Sequence, residues 1–536
     1  MSKKNIQLLD CTLRDGSYIV EGNFGDQVIK GLVRRLTKAH VDIIECGWLK
    51  DYEREEGSAY FHQPSDAEPF IDSSDRNALY VAMIDYDRYN IDALEPYNGK
   101  GIEAIRVVFP KDHMDDGLAL VPQIKDKGYQ VMVQAANTYG YSDMELAQLA
   151  AKVNQVHPIA VSIVDTFGTM YREDLLRIMS ILDNNLESDI KIGFHSHNNQ
   201  QMSFSLAQDF IEVGVKKERE IILDSSLCGM GRGAGNANTE LVVSFLNKKH
   251  HKDYDLDLIL DTIDIYMGQF LNNYQWGYSV PLFVAGINCT HVNNIKYLQD
   301  VHHAKSRDIS NTLEMLSAKD RTAYDYNKLE NAYINYVKAD IKDAAVIEEL
   351  EEKIGLRTVL LIAPGKRATD EKDKIDQYIS EKNPIIIGIN WIPEMYNCDY
   401  AFFSNIRRYE YSRDQNKKKF DDQTKIILSN LGILGNENSL VVNYNRLLRR
   451  DWKHYENSLF LCLRLLNQLE VTDIAIAGFD GLSTGDDYSD RNLESTLNAE
   501  ERVAFNKELV GMMEDYLRIS EERVSVTFVT KSIVES

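Results

Sequence analysis

No two cysteines of this sequence form a Cys-x-x-Cys pair: Cys11, Cys46, Cys228, Cys289, Cys398 and Cys462 are scattered, several inside apolar runs. That spacing argues against a disulfide framework or a zinc knuckle and predicts reduced thiols in the core. Positive charge is scarce too. Lysine and arginine number 60 against 83 acidic residues, a formal charge of -23. Nucleic acids and anionic membranes both want a basic surface, so neither is expected as a partner. No apolar stretch is long enough to span a bilayer, and Met1 to Asn5 lead directly into a strand with no signal peptide. The expected setting is cytoplasmic. What the chain does have is length: 536 residues exceed one ordinary domain and can bury two sizeable cores.

The first half alternates short apolar strands with amphipathic helical stretches. Strands are predicted at 6–13, 41–48, 78–85, 104–110, 130–136, 160–166, 191–197 and 220–227, with helical patterns such as 26–39, 142–155, 172–184 and 199–214 between them. Eight such units in under 250 residues predict an α/β fold, an N-terminal (β/α)8 TIM barrel, with an open doubly wound sheet as the alternative. In a barrel the chemistry sits at the C-terminal ends of the strands. Polar residues recur there: Arg14 and Asp15, Glu45, Asn137, Asp165 and Thr166, His195 and His197, and Asp224.

Among these, Lys191-Ile192-Gly193-Phe194-His195-Ser196-His197-Asn198-Asn199 carries the most information. Histidines one residue apart on a strand share a face, so both imidazoles emerge together at its end. Converging neutral imidazoles suit a divalent transition metal, and Asp15, placed by this reading on the first strand, offers an oxygen ligand. Two histidines and one carboxylate leave positions open for a bidentate 2-oxo acid, whose enolate the ion stabilises. Arg14 adds positive charge near the enolate oxygen.

Three motifs resemble one family. Asp10-Cys-Thr-Leu-Arg-Asp-Gly16, His195-Ser-His197-Asn198 and Asp224-Ser-Ser-Leu-Cys-Gly-Met-Gly-Arg-Gly-Ala-Gly-Asn236 are similar, in order and spacing, to the signatures of the DRE-TIM metallolyases, the HMG-CoA-lyase-like barrels. The resemblance covers roughly residues 5 to 290 and looks closest to 4-hydroxy-2-oxovalerate aldolases. It implies Asp15, His195 and His197 as metal ligands, joined by Asn236, which matches a ligand in some branches. It implies Arg14 as enolate stabiliser and Thr166 as a hydroxyl against the substrate carboxylate. The implied ion is divalent, manganese first, with magnesium, cobalt or zinc as alternatives. The implied partners are a small pyruvate-like 2-oxo acid and an aldehyde, with a homo-oligomer expected. Two positions depart from the pattern. Tyr18 stands where the aldolases carry their acid/base histidine, and Asn199 where the family commonly has aspartate. A phenol near pKa ~10 is a poor base at neutral pH unless that value is lowered.

From about 286 to 350 the pattern turns helical and charged, a connector between a barrel at 1–285 and a C-terminal Rossmann-like α/β domain at 351–536. Strands are expected at 358–363, 384–390, 400–403, 425–428, 439–442 and from 473, with a helix near 457–469. Ala363-Pro364-Gly365-Lys366 lies between strand and helix, where backbone amides bind phosphate, although P-loop spacing is absent. The segment ending at Asp480 loosely resembles Rossmann-like domains of sialyltransferase-like proteins, which hints at a nucleotide or nucleotide-sugar partner. The function expected is a metal-dependent carbon–carbon lyase or aldol-type synthase. The alternatives are a Claisen-type acyl-CoA synthase and an inactive barrel acting as a scaffold for the C-terminal domain.

Overall fold

Every strand of the first sheet runs parallel to its neighbours, and the first pairs with both the second and the last, so the sheet closes on itself. The computed structural model describes residues 6–72, 78–339, 342–433, 438–483, 487–490, 497–520 and 523–535. The barrel strands are β1 (Ile6–Asp10), β2 (Ile43–Leu49), β3 (Leu79–Asp85), β4 (Ala104–Phe109), β5 (Gln130–Ala135), β6 (Ala160–Asp165), β7 (Lys191–Ser196) and β8 (Ile221–Ser225). Full helices follow β1 and β4 to β8, whereas only short 3-10 turns, Pro64–Phe70 and Ile91–Ala93, follow β2 and β3. The (β/α)8 barrel is thus the observed fold.

The period of two along each strand builds the interior in layers. Leu9, Ile43, Val81, Ala104, Met132, Ala160 and Ile222 form a buried apolar plug. Two residues further along the same strands the inward positions turn polar: Glu45, Arg106, Gln134, Ser162 and Asp224, all buried. Gly193 of β7 belongs to this crowded level, where a Cβ would lie 2.2 Å from the Ser162 hydroxyl. The outward positions pack on the helices.

One expectation is corrected here. The first strand ends at Asp10 rather than 13, and Arg14 and Asp15 lie on the one-turn helix Thr12–Asp15 instead of on the strand. Asp10 causes the break: its carboxylate accepts the Thr12 N–H at 3.0 Å and the Thr239 hydroxyl at 2.8 Å. The chain then turns, with Asp15 N–H donating to Cys11 O at 2.8 Å.

The chain divides into two compact units, Met1–Ala332 and Tyr333–Ser536. In the first, the segment after the barrel packs at its mouth. The Thr169 hydroxyl donates to Gly286 O at 2.9 Å, and the Phe167 and His291 rings lie 6.4 Å apart.

The second unit is an open, wholly parallel sheet of β9 (Val359–Ile362), β10 (Ile385–Ile389), β11 (Tyr400–Phe403), β12 (Lys425–Leu428), β13 (Ser439–Val442), β14 (Asp473–Ala477) and β15 (Ser525–Phe528), in the order β13-β12-β11-β10-β9-β14-β15. Alternate residues of β9 feed cores on opposite faces, Val359 and Leu361 on one and Leu360 and Ile362 on the other. Sequence patterning missed β15 and the helix Ala499–Ile519. All six cysteines are free thiols. Among the described residues no helix is long and apolar enough to cross a membrane.

Candidate active site

Above the apolar plug, buried charges alternate in sign across the barrel. Arg106, 1% exposed, places Nη2 2.6 Å from Asp224 Oδ2 and Nη1 2.9 Å from Glu45 Oε2. Glu45 Oε2 also accepts Arg14 Nε–H at 2.8 Å, and Arg14 Nη1 donates to Asp15 Oδ1 at 2.5 Å. Three carboxylates therefore face two guanidinium groups, a buried excess of negative charge that calls for a cation.

The imidazoles stand beside this chain. The His195 and His197 rings are 5.1 Å apart and perpendicular. His195 Nδ1 lies 3.1 Å from Asp224 Oδ2, outside hydrogen-bond alignment, and His197 Nδ1 lies 3.9 Å from Asp15 Oδ2. Asn236 donates from Nδ2 to Asp15 Oδ2 at 2.6 Å. Its Oδ1, both Nδ1 atoms, Glu45 Oε1 and Asp224 Oδ1 are buried without a hydrogen-bond partner. So many orphaned acceptor-capable atoms in one place are costly in an apo protein and fit a metal-binding group. Ligand atoms of Asp15, His195 and His197 lie within 4.8 Å of one another, so this trio can hold an ion.

Electrostatics favour the ligating forms. Burial alone would raise the Asp15 carboxyl, but Arg14 first and then His197 and His195 hold it well below the usual carboxylate range. Burial also raises Asp224, which Arg106 and His195 more than offset. Burial lowers the His197 imidazole to about 4, so it is neutral at pH 7, the form in which histidine ligates.

The other predicted residues are spread around the mouth. Thr166, just beyond β6, accepts the Asn137 N–H at 2.7 Å. Tyr18 is 45% exposed, packed edge-on to Trp48 at 6.0 Å and under the Arg232 guanidinium at 5.0 Å. Enough protein surrounds the phenol that desolvation raises its pKa above the ordinary value, against the pull of Arg232. The lowered phenol that a tyrosine base requires is not what this site builds. Asn199, at the departure from the family pattern, is buried and pins the glycine loop: its Oδ1 accepts Ala234 N–H at 2.8 Å and its Nδ2 donates to Phe167 O at 2.9 Å.

Sequence reasoning missed Arg106, Arg232 and His291. For Arg106 the signal was available, an arginine at an inward position two residues beyond Ala104 in an apolar strand. Arg232 stands inside the glycine-rich motif, but nothing signalled its contact with His291, because 59 residues of sequence separate them.

Comparison with known proteins places this barrel. A family model described as HMGL-like matches residues 110–265, which hold both histidines and the glycine loop. The oxaloacetate decarboxylase of Mycobacterium tuberculosis is 30% identical over 260 residues, 47% of this chain and 74% of that protein. The chain belongs to the HMGL-like family. Another similar protein, the 4-hydroxy-2-oxovalerate aldolase 2 of Rhodococcus jostii, is 29% identical over 318 residues, 58% of this chain and 89% of the relative. Among solved structures, the N-terminal domain of a proposed aldolase from Bacteroides vulgatus aligns with TM-score 0.48 and 21% identity, covering 55% of this chain and 98% of that one. HMGL-like membership confirms the resemblance read from the three motifs and implies a divalent metal for the site.

Proposed function

We propose that the barrel is a divalent-metal-dependent carbon–carbon lyase of the aldolase type, acting on a 2-oxo acid through its enolate. The buried trio Asp15, His195 and His197, among unpartnered acceptor atoms, carries this reading. These three side chains would hold the ion, with Asn236 Oδ1 as a fourth donor. When bound, a divalent ion, manganese in our reading, supplies Lewis acidity that favours the enolate.

The chain's own residues supply the rest. Arg14, tied to Asp15 and Glu45, presents a fixed positive charge to the developing oxyanion. Thr166 already accepts the Asn137 N–H, so its hydroxyl proton is left to donate to the substrate carboxylate. Tyr18, protonated at neutral pH, is the proton donor of this reading. Its phenol gives a proton to the enolate carbon, and the phenolate recovers one from solvent or, in the reverse direction, from the substrate methyl group. The relative named as an aldolase supports this assignment. The relative named as oxaloacetate decarboxylase supports decarboxylation as a second reading, because loss of CO2 from a 2-oxo diacid reaches an enolate too.

The enolate reading is tested by exchange of pyruvate methyl protons with D2O in the presence of Mn2+. Exchange that disappears in Asp15→Ala and His195→Ala is expected. Exchange that survives both substitutions rejects the site.

For the second unit we propose a ligand site where the strand order reverses, between β9 and β14. A cleft of about 380 Å³ there is lined by Gly365, Asn390, Arg408, Lys453 and Asp480. Parallel sheets bind ligands at such switch points, which supports a nucleotide or nucleotide-sugar. Titration with a nucleoside diphosphate tests it: binding weakened by Asp480→Asn is expected, and no binding rejects it. The division of labour in this reading is then chemistry in 1–285, a helical connector in 286–350 and ligand binding in 351–536.

A further inference from the structure

The glycine loop after β8 carries one cation, and the loop is pinned against the metal-binding trio. Gly231 comes so close that a Cβ would lie 2.3 Å from Asp15 Oδ2 and 2.4 Å from Asn236 Nδ2. The next N–H, that of Arg232, points at Asp15 Oδ2 from 3.3 Å. Asn198 N–H donates to Gly235 O at 2.8 Å, and Gly235 N–H returns to Arg232 O at 3.1 Å. The Arg232 backbone is thereby fixed beside the proposed reaction centre, and its side chain has to lie at the barrel mouth.

There the guanidinium has company but no anion. It lies over the Tyr18 ring at 5.0 Å and reaches His291 Nε2. No carboxylate pairs with it among the described residues. His291 brings no negative charge to it: the imidazole is a neutral contact, with Nε2 beside the guanidinium and Nδ1 beside the Asn293 N–H at 3.1 Å. His291 is buried, 7% exposed, on the segment that packs at the mouth. Arg232 itself is half-buried there, and a guanidinium with water on one side and no counter-charge among the described residues can take an anion from a ligand.

We propose that Arg232 binds an anionic group, a carboxylate or a phosphate, at the end of the substrate distal to the 2-oxo acid, and so sets specificity on the aldehyde side. The proposal rests on the enolate reading of the barrel. Arg14 and Thr166 serve the 2-oxo acid end, which leaves Arg232, across the loop and against Tyr18, for the far end. The flat Tyr18 face holds the guanidinium by a cation–π contact and leaves its edge to a planar carboxylate or a phosphate.

The test compares three aldehydes with pyruvate and Mn2+: propanal as neutral, succinic semialdehyde as carboxylate and glyceraldehyde 3-phosphate as phosphate. We expect one anionic class to exceed propanal in kcat/KM by about tenfold or more, as a charged hydrogen bond provides. Arg232→Ala should lose that preference chiefly through KM, and Arg232→Lys should keep part of it. No preference in the native enzyme, or an equal fall for all three aldehydes in Arg232→Ala, overturns the proposal. Calorimetry with succinate and glycerol 3-phosphate decides the matter independently of turnover. Binding of one of them that weakens about tenfold in Arg232→Ala supports the anion site, and equal or absent binding rejects it. Failure of pyruvate proton exchange in the native enzyme, with that binding intact, rejects the enolate reading alone.

Discussion

Asn236 gives its amide N–H to Asp15 across 2.6 Å and keeps its own carbonyl oxygen buried without a partner. One side chain thus orients the carboxylate of the proposed metal site and offers a further donor atom. Asn236→Ala removes both effects. Metal affinity, read by titration with Mn2+, is expected to fall about 10–100-fold, the range for groups that orient ligands. Unchanged affinity would remove Asn236 from the site.

Arg106 lies between Glu45 and Asp224 with 1% of its surface exposed. Arg106→Met fills similar volume but takes the guanidinium from Asp224 and leaves Glu45 with Arg14 alone. Breaking a buried pair this way costs about 3–5 kcal/mol. Urea unfolding of the metal-free protein should show that loss. A loss below about 1 kcal/mol would mean that water or a cation already satisfies the carboxylates.

Tyr18→Phe keeps the ring against Arg232 and Trp48 and deletes only the hydroxyl. With the phenol raised above its ordinary value, the native enzyme should show no rising alkaline limb from Tyr18 below about pH 9. A proton donor instead gives a fall above about pH 10, which the Phe variant should lack. The variant's rate should drop about 100-fold if the proton transfer is rate-limiting. A rising limb near neutrality that disappears in Tyr18→Phe would make Tyr18 the base.

Asp165 closes β6, and its carboxylate accepts the Thr169 and Met170 N–H groups at 2.8 and 3.1 Å. Burial outweighs these bonds and raises its pKa from 3.8 to about 7. Between those values the folded chain holds a proton that the unfolded chain has released. Stability therefore falls as pH rises through that window and levels off above it. Asp165→Asn removes this slope. Urea unfolding at pH 5 and pH 8 should show the native protein losing more stability than the variant, by about 1–3 kcal/mol. Equal losses would mean that the carboxylate is already ionised at pH 5.

Much of this was legible in the chain. Apolar runs at regular intervals marked all eight barrel strands, because a buried parallel strand needs both faces apolar. His195 and His197 were legible as a pair because strand periodicity puts them on one face. Asp15 was legible as a partner, but its place on a helical turn was not. That turn depends on Asp10 meeting Thr239, more than two hundred residues away. The helix Ala499–Ile519 was missed because the polar residues along it blur the apolar stripe.

The residue types at the strand ends, and the order of the three motifs, follow from the sequence alone, since they depend on local periodicity and composition. Which charges pair was decided only by tertiary structure. Closing the barrel brings Glu45, Arg106 and Asp224 from three strands into one low-dielectric layer, and folding the glycine loop against Asp15 sets Arg232 over Tyr18. Coulomb energy depends on separation in space and on burial, and neither quantity is written in the order of residues.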